Sequence, residues 1–189
     1  MKLFEKAGPV NTAETAEIAA KKAVELKCDL VISSNEGESA LALLEAAIKY
    51  GFEGKIIMVS HVSDPKRNGV NELSPEMRKE LTEKGVTVVT AAHALSGTER
   101  SFSTKFGGAY PIEIMAYTLR TFGQGTKVCF ECAVMALDAD AISYQKPVVS
   151  VGGTGRGVDT AMVITPSYSA SILATKIHEI ICKPSLLNT

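Results

Sequence analysis

The segment best suited to bind a charged ligand is a turn of small, hydroxylated residues near position 35. The apolar run "LVIS" leads into Ser33, Ser34 and Asn35, and a run of good helix formers follows Gly37. Backbone N–H groups in the first turn of a helix have no partner within the helix, and the helix dipole favours an anion there. The Ser34 and Ser39 hydroxyls can add hydrogen bonds, so this turn predicts a phosphate site.

Two acidic residues in the same turn favour a different interpretation. Glu36 and Glu38 can satisfy the helix dipole themselves, and Ser34 or Asn35 can cap the helix with its side chain. From this stretch alone, a phosphate site and a simple helix cap stay open. A phosphate beside Glu36 requires that the carboxylate turn aside or pair with a cation such as Arg156.

A glycine-rich loop, "GGTGRGVDT", follows a later apolar segment and spans residues 152–160. It is not a Walker motif, because no Lys-Ser/Thr pair follows Gly157, and its spacing is not that of a Rossmann fingerprint. A tight turn between two strands rarely needs four glycines. We therefore expect the loop to bind a ligand through its backbone N–H groups and Thr154, with Arg156 as a cation.

His61 and His93 each follow a predicted strand. Near neutral pH they can hydrogen-bond a polar ring or act as general acid or base. The alternative is a hydrogen-bonded histidine at the sheet edge without a ligand. Two histidines without a nearby pattern of acids do not predict a metal site, and His178 is expected to be structural, within a last helix.

The four cysteines include Cys129 and Cys132, which match C-x-x-C. A redox pair normally lies at a helix start beside a strand, whereas this pair falls within a predicted helix. Three of the four lie in apolar segments, which indicates buried free thiols in a reducing compartment. We expect packing rather than redox chemistry.

Short apolar segments alternate with amphipathic ones along the chain. Strands are predicted at "DLVIS", "KIIMVS", "GVTVVTAA", "KPVVSVGG" and "TAMVITP". Helices are predicted over 12–27, 38–49, from about 75, over 112–121, 126–138 and 167–181, with Asn11 and Glu14 forming a capping box at the first. The polar segment 93–111, "HALSGTERSFSTKFGGAYP", is predicted to be a long loop that is either functional or mobile.

This alternation predicts a single α/β/α domain over residues 1–189, with a mainly parallel sheet covered on both faces. The strand after the glycine-rich loop follows too closely for a helical crossover, so it should be antiparallel to its neighbour. Ligands of such sheets bind beyond the carboxyl ends of the strands, where the polar motifs should share one cleft.

Composition excludes several function classes. The 189 residues are 46% hydrophobic and 22% charged, with a net charge of −1, and the basic residues are scattered. We therefore expect no nucleic-acid partner and no membrane. The first residues, "MKLFEKAGPVNT", lack the apolar run of a signal peptide, so a cytoplasmic location is expected.

The order of these motifs resembles the C-terminal domain of pyruvate kinase. In that domain a loop of the type T-x-S-G-x-S holds a phosphate of a sugar bisphosphate; residues 34–39 match it here, and "GGTGRGVDT" matches the closing glycine turn. Stand-alone archaeal and bacterial proteins of the same fold are more similar still. The resemblance covers nearly the whole chain and is carried by "FEKAGPVNT", "HALSG", "FGG", "PIEIMAYTLR", "QGTKVCFE" and "GGTGRGVDTA".

This resemblance implies a three-layer fold with a five-stranded sheet whose last strand is antiparallel, and flavin mononucleotide (FMN) as cofactor. It also implies that the loop from His93 to Gly108 covers the flavin ring and that Arg100 or Lys105 supplies positive charge. The motifs and the resemblance together predict that the cofactor is contacted by Ser33, Ser34, Asn35, Gly37, Glu38, Ser39, His61, His93, Ser96, Gly97, Arg100, Lys105, Gly152, Gly153, Thr154, Gly157, Asp159 and Thr160.

Two functions compete with that of a flavoprotein. The fold binds an effector in pyruvate kinase, so the chain can be a sensor of a sugar phosphate or nucleotide. It also packs at subunit interfaces there, which makes an oligomerisation module, and hence a homo-oligomer, a second alternative. The pyruvate kinase barrel and its active site are absent, so no pyruvate kinase activity is expected, and no catalytic residue is predicted.

Overall fold

The computed structural model of the chain describes residues 1–63, 68–185 and 187. Within them, seven strands form one mixed sheet in the order β1-β7-β6-β5-β2-β3-β4. The strands are β1 (Lys2–Phe4), β2 (Leu30–Ser33), β3 (Ile56–His61), β4 (Val86–Ala91), β5 (Val148–Gly152), β6 (Thr160–Thr165) and β7 (Lys176–Pro184). The predicted α/β class is confirmed.

Within the described residues, six α-helices connect these strands. They are α1 (Thr12–Leu26), α2 (Glu38–Lys49), α3 (Pro75–Glu83), α4 (Gly97–Phe106), α5 (Pro111–Arg120) and α6 (Gln124–Asp138). The start of α3 follows the sequence signals closely, because the Ser74 hydroxyl accepts the N–H of Met77 at 3.1 Å and Pro75 occupies the first helical position. Among the described residues, no helix is long and apolar enough to cross a membrane.

The direction of β6 confirms one topological prediction. β6 is antiparallel to both of its neighbours, β5 and β7, whereas the other strand pairs are parallel. The loop between β5 and β6 is too short to hold a crossover helix, so the chain must return beside the strand it has just left.

The C-terminal segment differs from the prediction. Instead of a helix over 167–181 there is a short 3-10 helix, Ser169–Ala174, followed by β7. The β-branched residues Ile177, Ile180 and Ile181 favour a strand, and β6 offers an unpaired edge. β7 then pairs with β1, so the sheet has seven strands where five were expected.

Both faces of the sheet are covered, which gives three layers. In β2, Leu30 and Ile32 pack into a core with α1, α2 and α3, while Val31 packs into a second core with α5 and α6. This alternation follows from the two-residue period of a strand. The C-terminal ends of β2, β3, β4 and β5 are thereby left between the two helical layers.

Segment 93–111 is not the long loop that was predicted. It contains α4, and the loop interpretation is wrong because Glu99, Arg100 and Lys105 are good helix formers. The Glu99 carboxylate accepts the N–H groups of Ile112 and Glu113 at 3.3 and 2.8 Å, and so caps α5. No α4 residue is fully buried.

The capping box predicted at α1 is also absent. The Asn11 side chain donates to the carbonyl oxygens of Lys6 and Gly8, at 2.7 and 3.3 Å, and makes no cap hydrogen bond. It stabilises the turn before α1, and the short 3-10 helix Pro9–Asn11 leads directly into the helix.

Candidate functional site

A cleft of about 830 Å³ opens at the carboxyl ends of β2, β3, β4 and β5. The turn before α2 and the glycine-rich loop form one side, and α6 forms the other. This is the position at which open α/β sheets bind ligands. Its volume falls in the range of small-molecule pockets, roughly 300–1,000 Å³.

The predicted contact residues fall into three groups. Those that line the cleft are Ser33, Ser34, Asn35, Glu38, Ser39, His61, His93, Gly153 and Gly157. A second group supports the lining residues through hydrogen bonds or close packing without lining the cleft itself: Gly37, Gly152, Thr154, Asp159 and Thr160. Ser96, Gly97, Arg100 and Lys105 belong to α4 or its start and are not among the residues that line this cleft.

At the start of α2, the serine turn does not provide a side-chain cap. Gly37 is the N-cap residue and no side chain caps the helix; the Ser34 hydroxyl accepts the N–H of Gly37 at 3.1 Å and so closes the turn before the helix. Gly37 has φ +101°, and a Cβ there would lie 2.4 Å from the Met77 side chain, so the position requires glycine. Glu38 and Ser39, the first two residues of α2, line the cleft.

The glycine-rich loop is held by a buried carboxylate. Asp159 accepts the N–H groups of Gly8 (2.9 Å) and Thr154 (3.2 Å) and the hydroxyl of Thr160 (2.8 Å). Gly157 has φ +70° and would place a Cβ 2.5 Å from the backbone of Pro9. Asp159 therefore fixes the loop against the N-terminal segment and is not among the residues that line the cleft.

Glu36 and Arg156 form an ion pair across the mouth of the cleft. Nη1 of Arg156 lies 2.5 Å from Oε2 of Glu36, and both residues line the cleft. The hydrogen bond and charge of Glu36 raise the pKa of Arg156. Of the two alternatives given for Glu36, turning aside or pairing with a cation, the structure shows pairing, with Arg156 as the partner.

One stripe of α6 forms the opposite wall. It consists of Gln124, Lys127, Val128, Glu131, Cys132 and Met135, which recur at the spacing of one helix face. The helix is buried almost throughout, yet two of these six residues carry full charges. Buried charges in an apolar helix are costly unless they are paired, and these two residues, Lys127 and Glu131, pair with each other.

Glu131 is at the centre of a hydrogen-bond network. It is buried, it forms an ion pair with Lys127, and it accepts the N–H of Leu95 at 2.8 Å and a hydrogen bond from Nδ1 of His93 at 3.1 Å. Burial by itself raises the pKa of a carboxyl group. Here the bond from His93 and the charge of Lys127 outweigh it and lower the pKa of Glu131 to about 2.

His61 forms a second histidine–carboxylate pair. Its Nε2 meets Oε2 of Glu72, and the loop that carries Glu72 is tied back to β3, since the Asn71 side chain donates to the His61 carbonyl at 2.9 Å. The rings of His61 and His93 meet edge to face with centroids 5.8 Å apart. Both histidines are therefore oriented by acids and face the same cleft.

Ser60 also belongs to the lining. It is buried at the end of β3, and its hydroxyl has no hydrogen-bond partner among the described residues. A buried polar group without a partner is uncommon in a folded protein and marks a place where a ligand atom or a water can bind.

The sequence interpretation missed Lys127, Glu131 and Glu72. A signal for the first two was present, because "KVCFE" places a lysine and a glutamate four residues apart in an otherwise apolar helix. Glu72 had no such signal, since only the folding back of its loop brings it to His61.

The chemistry open to this cleft is anion binding and proton transfer. It offers a helix N-terminus, a glycine-rich loop and two acid-oriented histidines. In the part of the chain that the structure describes, no group of three or more His, Cys, Asp or Glu side chains is placed to hold a metal ion. No model of a known protein family matches this chain.

Proposed function

We propose that the cleft binds a small molecule through its phosphate group, with flavin mononucleotide as the first candidate. The observation that carries the proposal is the convergence of the α2 N-terminus and the glycine-rich loop on one cleft at the strand ends. Both are backbone arrangements that favour anions. The resemblance to flavin-binding proteins of the pyruvate kinase C-terminal fold supports the same ligand.

The phosphate would meet the N–H groups of Glu38 and Ser39 and the Ser39 hydroxyl. Arg156 stands at the mouth of the cleft, where it already neutralises Glu36. Among the described residues, three of the four glutamates lining the cleft contact a cation or a histidine, so that less negative charge faces an incoming anion.

The flavin ring would lie against the apolar part of the lining. Val59, Val128, Cys132 and Met135 provide that surface. Lys127 lines this part of the cleft as part of an ion pair with Glu131, so its charge is already balanced there. When bound, the flavin supplies one- or two-electron transfer.

Comparing FMN with riboflavin tests the proposal directly, because riboflavin lacks the phosphate. We expect the native protein to bind FMN more tightly, and Ser39→Ala to weaken FMN binding by roughly tenfold to a hundredfold without affecting riboflavin. Ser103→Ala, a helical serine outside the cleft, is the matched control. Equal affinity of the native protein for both ligands would refute phosphate recognition.

A sugar phosphate is the second candidate ligand. The observation in its favour is that His61, His93 and Gln124 line the same cleft and can hydrogen-bond several hydroxyl groups. A protein that is colourless when purified, and that sugar phosphates stabilise against heat while FMN does not, would select this candidate.

A further inference from the structure

The approach of His61 and His93 follows from strand pairing. β3 and β4 are parallel, and their register places His61 beside Ala91. His93 follows two residues later, beyond the end of β4, so its ring comes to lie edge to face with that of His61 at 5.8 Å. The two imidazoles thus stand at neighbouring strand ends and open on one cleft.

Among the described residues, a carboxylate contacts one nitrogen of each imidazole. Glu72 binds Nε2 of His61, and Glu131 binds Nδ1 of His93. The opposite nitrogens, Nδ1 of His61 and Nε2 of His93, have no hydrogen-bond partner among the described residues. In a neutral ring the carboxylate fixes the proton on its own side, so the opposite nitrogen can accept a proton from a ligand.

We propose that His61 and His93 form an acid–base pair which isomerises a phosphorylated hydroxycarbonyl compound of the aldose–ketose type. The inference rests on the phosphate site of the proposed function and concerns its second candidate ligand. The phosphate anchors the molecule at the start of α2, and its carbonyl end reaches the two imidazoles.

The reaction needs no oxidant and no further reactant. One neutral imidazole removes the proton from the carbon that bears the hydroxyl group, and the C–H electron pair forms the double bond of an enediol. The carbonyl π electrons move to oxygen, which takes a proton from the other, cationic imidazole. Return of a proton to the former carbonyl carbon and loss of the hydroxyl proton give the isomer and restore both rings.

The surroundings suit this role better than that of a structural pair. The side chain of His93 is 43% exposed and that of His61 is 25% exposed, whereas Glu131 behind His93 is 2% exposed. A buried carboxylate behind an accessible imidazole orients the ring without competing for the substrate. Lys127 is paired with Glu131, so the lysine charge is balanced within the wall.

Exchange of substrate protons with solvent tests the proposal. The full chain is incubated in D2O with dihydroxyacetone phosphate, ribose 5-phosphate and glucose 6-phosphate, each in turn, and deuterium at the carbon beside the carbonyl is followed by NMR. The same probes are titrated for binding. We expect exchange with at least one probe, and none with its unphosphorylated analogue.

Substitutions separate catalysis from folding and binding. His61→Asn and His93→Asn should each slow exchange by about a hundredfold or more, whereas probe affinity should fall far less, because asparagine keeps a side chain that can hydrogen-bond a hydroxyl group. His178→Asn, a histidine of β7 outside the cleft, should keep the native rate. Glu131→Gln should lower kcat more than it changes KM and shift the pH profile, as expected for a positioning residue.

The outcomes distinguish this inference from the proposed function. If phosphorylated probes bind without exchange, the isomerisation is wrong and phosphate recognition stands. If neither the probes nor FMN bind, both are wrong. Exchange that survives in both histidine variants, with native circular dichroism, also overturns the assignment.

Discussion

The guanidinium of Arg156 lies 2.5 Å from the carboxylate of Glu36, and this pair joins the glycine-rich loop to the turn before α2. The two residues are 120 positions apart in the chain, yet they face each other across the mouth of the cleft. A glutamate beside a proposed phosphate site is thereby neutralised, and an arginine is held where an anion would enter.

The first prediction concerns this pair. Glu36→Ser should tighten FMN binding, because it removes a negative charge and frees Arg156 for the phosphate. Arg156→Ala should weaken binding, because Glu36 is then unpaired. Since the pair is exposed, we expect changes of roughly threefold to fivefold, measured by fluorescence titration.

Salt dependence provides the control for that prediction. Both effects should shrink as ionic strength rises, and neither should appear with uncharged riboflavin. Opposite signs, with Glu36→Ser weakening FMN binding, would mean that the ion pair itself builds the site.

The second prediction is acid sensitivity through Glu131. Its pKa is about 2 in the folded protein, against 4.5 for an ordinary glutamate. In that interval the unfolded chain binds a proton that the folded chain does not, so stability is complete above pH 4.5 and is lost as the pH falls towards 2. The loss should be on the order of 3 kcal/mol in the free energy of unfolding.

Urea unfolding across this pH range measures the effect. Glu131→Gln should flatten the decline below pH 4.5, although the variant starts from a lower stability because Lys127 loses its charged partner. Glu45→Gln, an exposed glutamate of α2, should leave the curve unchanged. Parallel curves for the native protein and Glu131→Gln would contradict the prediction.

The third prediction is that the thiols of Cys129 and Cys132 are inert. Both lie in α6, are buried and are not joined by a disulfide. Burial raises the pKa of both thiols, and that of Cys182 to about 11, so little reactive thiolate forms at neutral pH. Mass spectrometry after brief labelling should find the half-buried Cys28 modified first and the other three only after unfolding.

The fourth prediction is that Glu99 stabilises α5 from outside the helix. Glu99→Ala removes the acceptor for the N–H groups of Ile112 and Glu113 and should cost about 1–2 kcal/mol in the free energy of unfolding. Lys105→Ala, an exposed position near the end of α4, is the control and should cost almost nothing. An equal effect of both substitutions would mean that α4 helicity, and not the cap, determines stability.

The sequence by itself determined the local elements. Short apolar runs predict β2 to β6, and Ser74-Pro75 predicts the start of α3, because these signals act over a few residues. The antiparallel direction of β6 was also predictable, since it depends only on loop length. The same locality made polar residues after each strand a good guide to the cleft.

Tertiary structure decided those features of the fold that depend on residues far away in the sequence. Residues 176–184 form β7, and not a helix, because β6 and β1 offer backbone partners on either side. α4 is set against α5 by the carboxylate of Glu99. In both cases the hydrogen bonds that decide the structure join separate segments of the chain, and local propensity takes no account of such bonds.

The features of the cleft also fall into those visible in the sequence and those that only folding creates. The serine turn and the glycine-rich loop were visible as motifs, because small residues have a local backbone function. The pairs Arg156–Glu36, His61–Glu72 and His93–Glu131 join residues 120, 11 and 38 positions apart. Sequence shows which residues can carry charge and protons, but their protonation and direction depend on partners that only folding brings within a few ångströms.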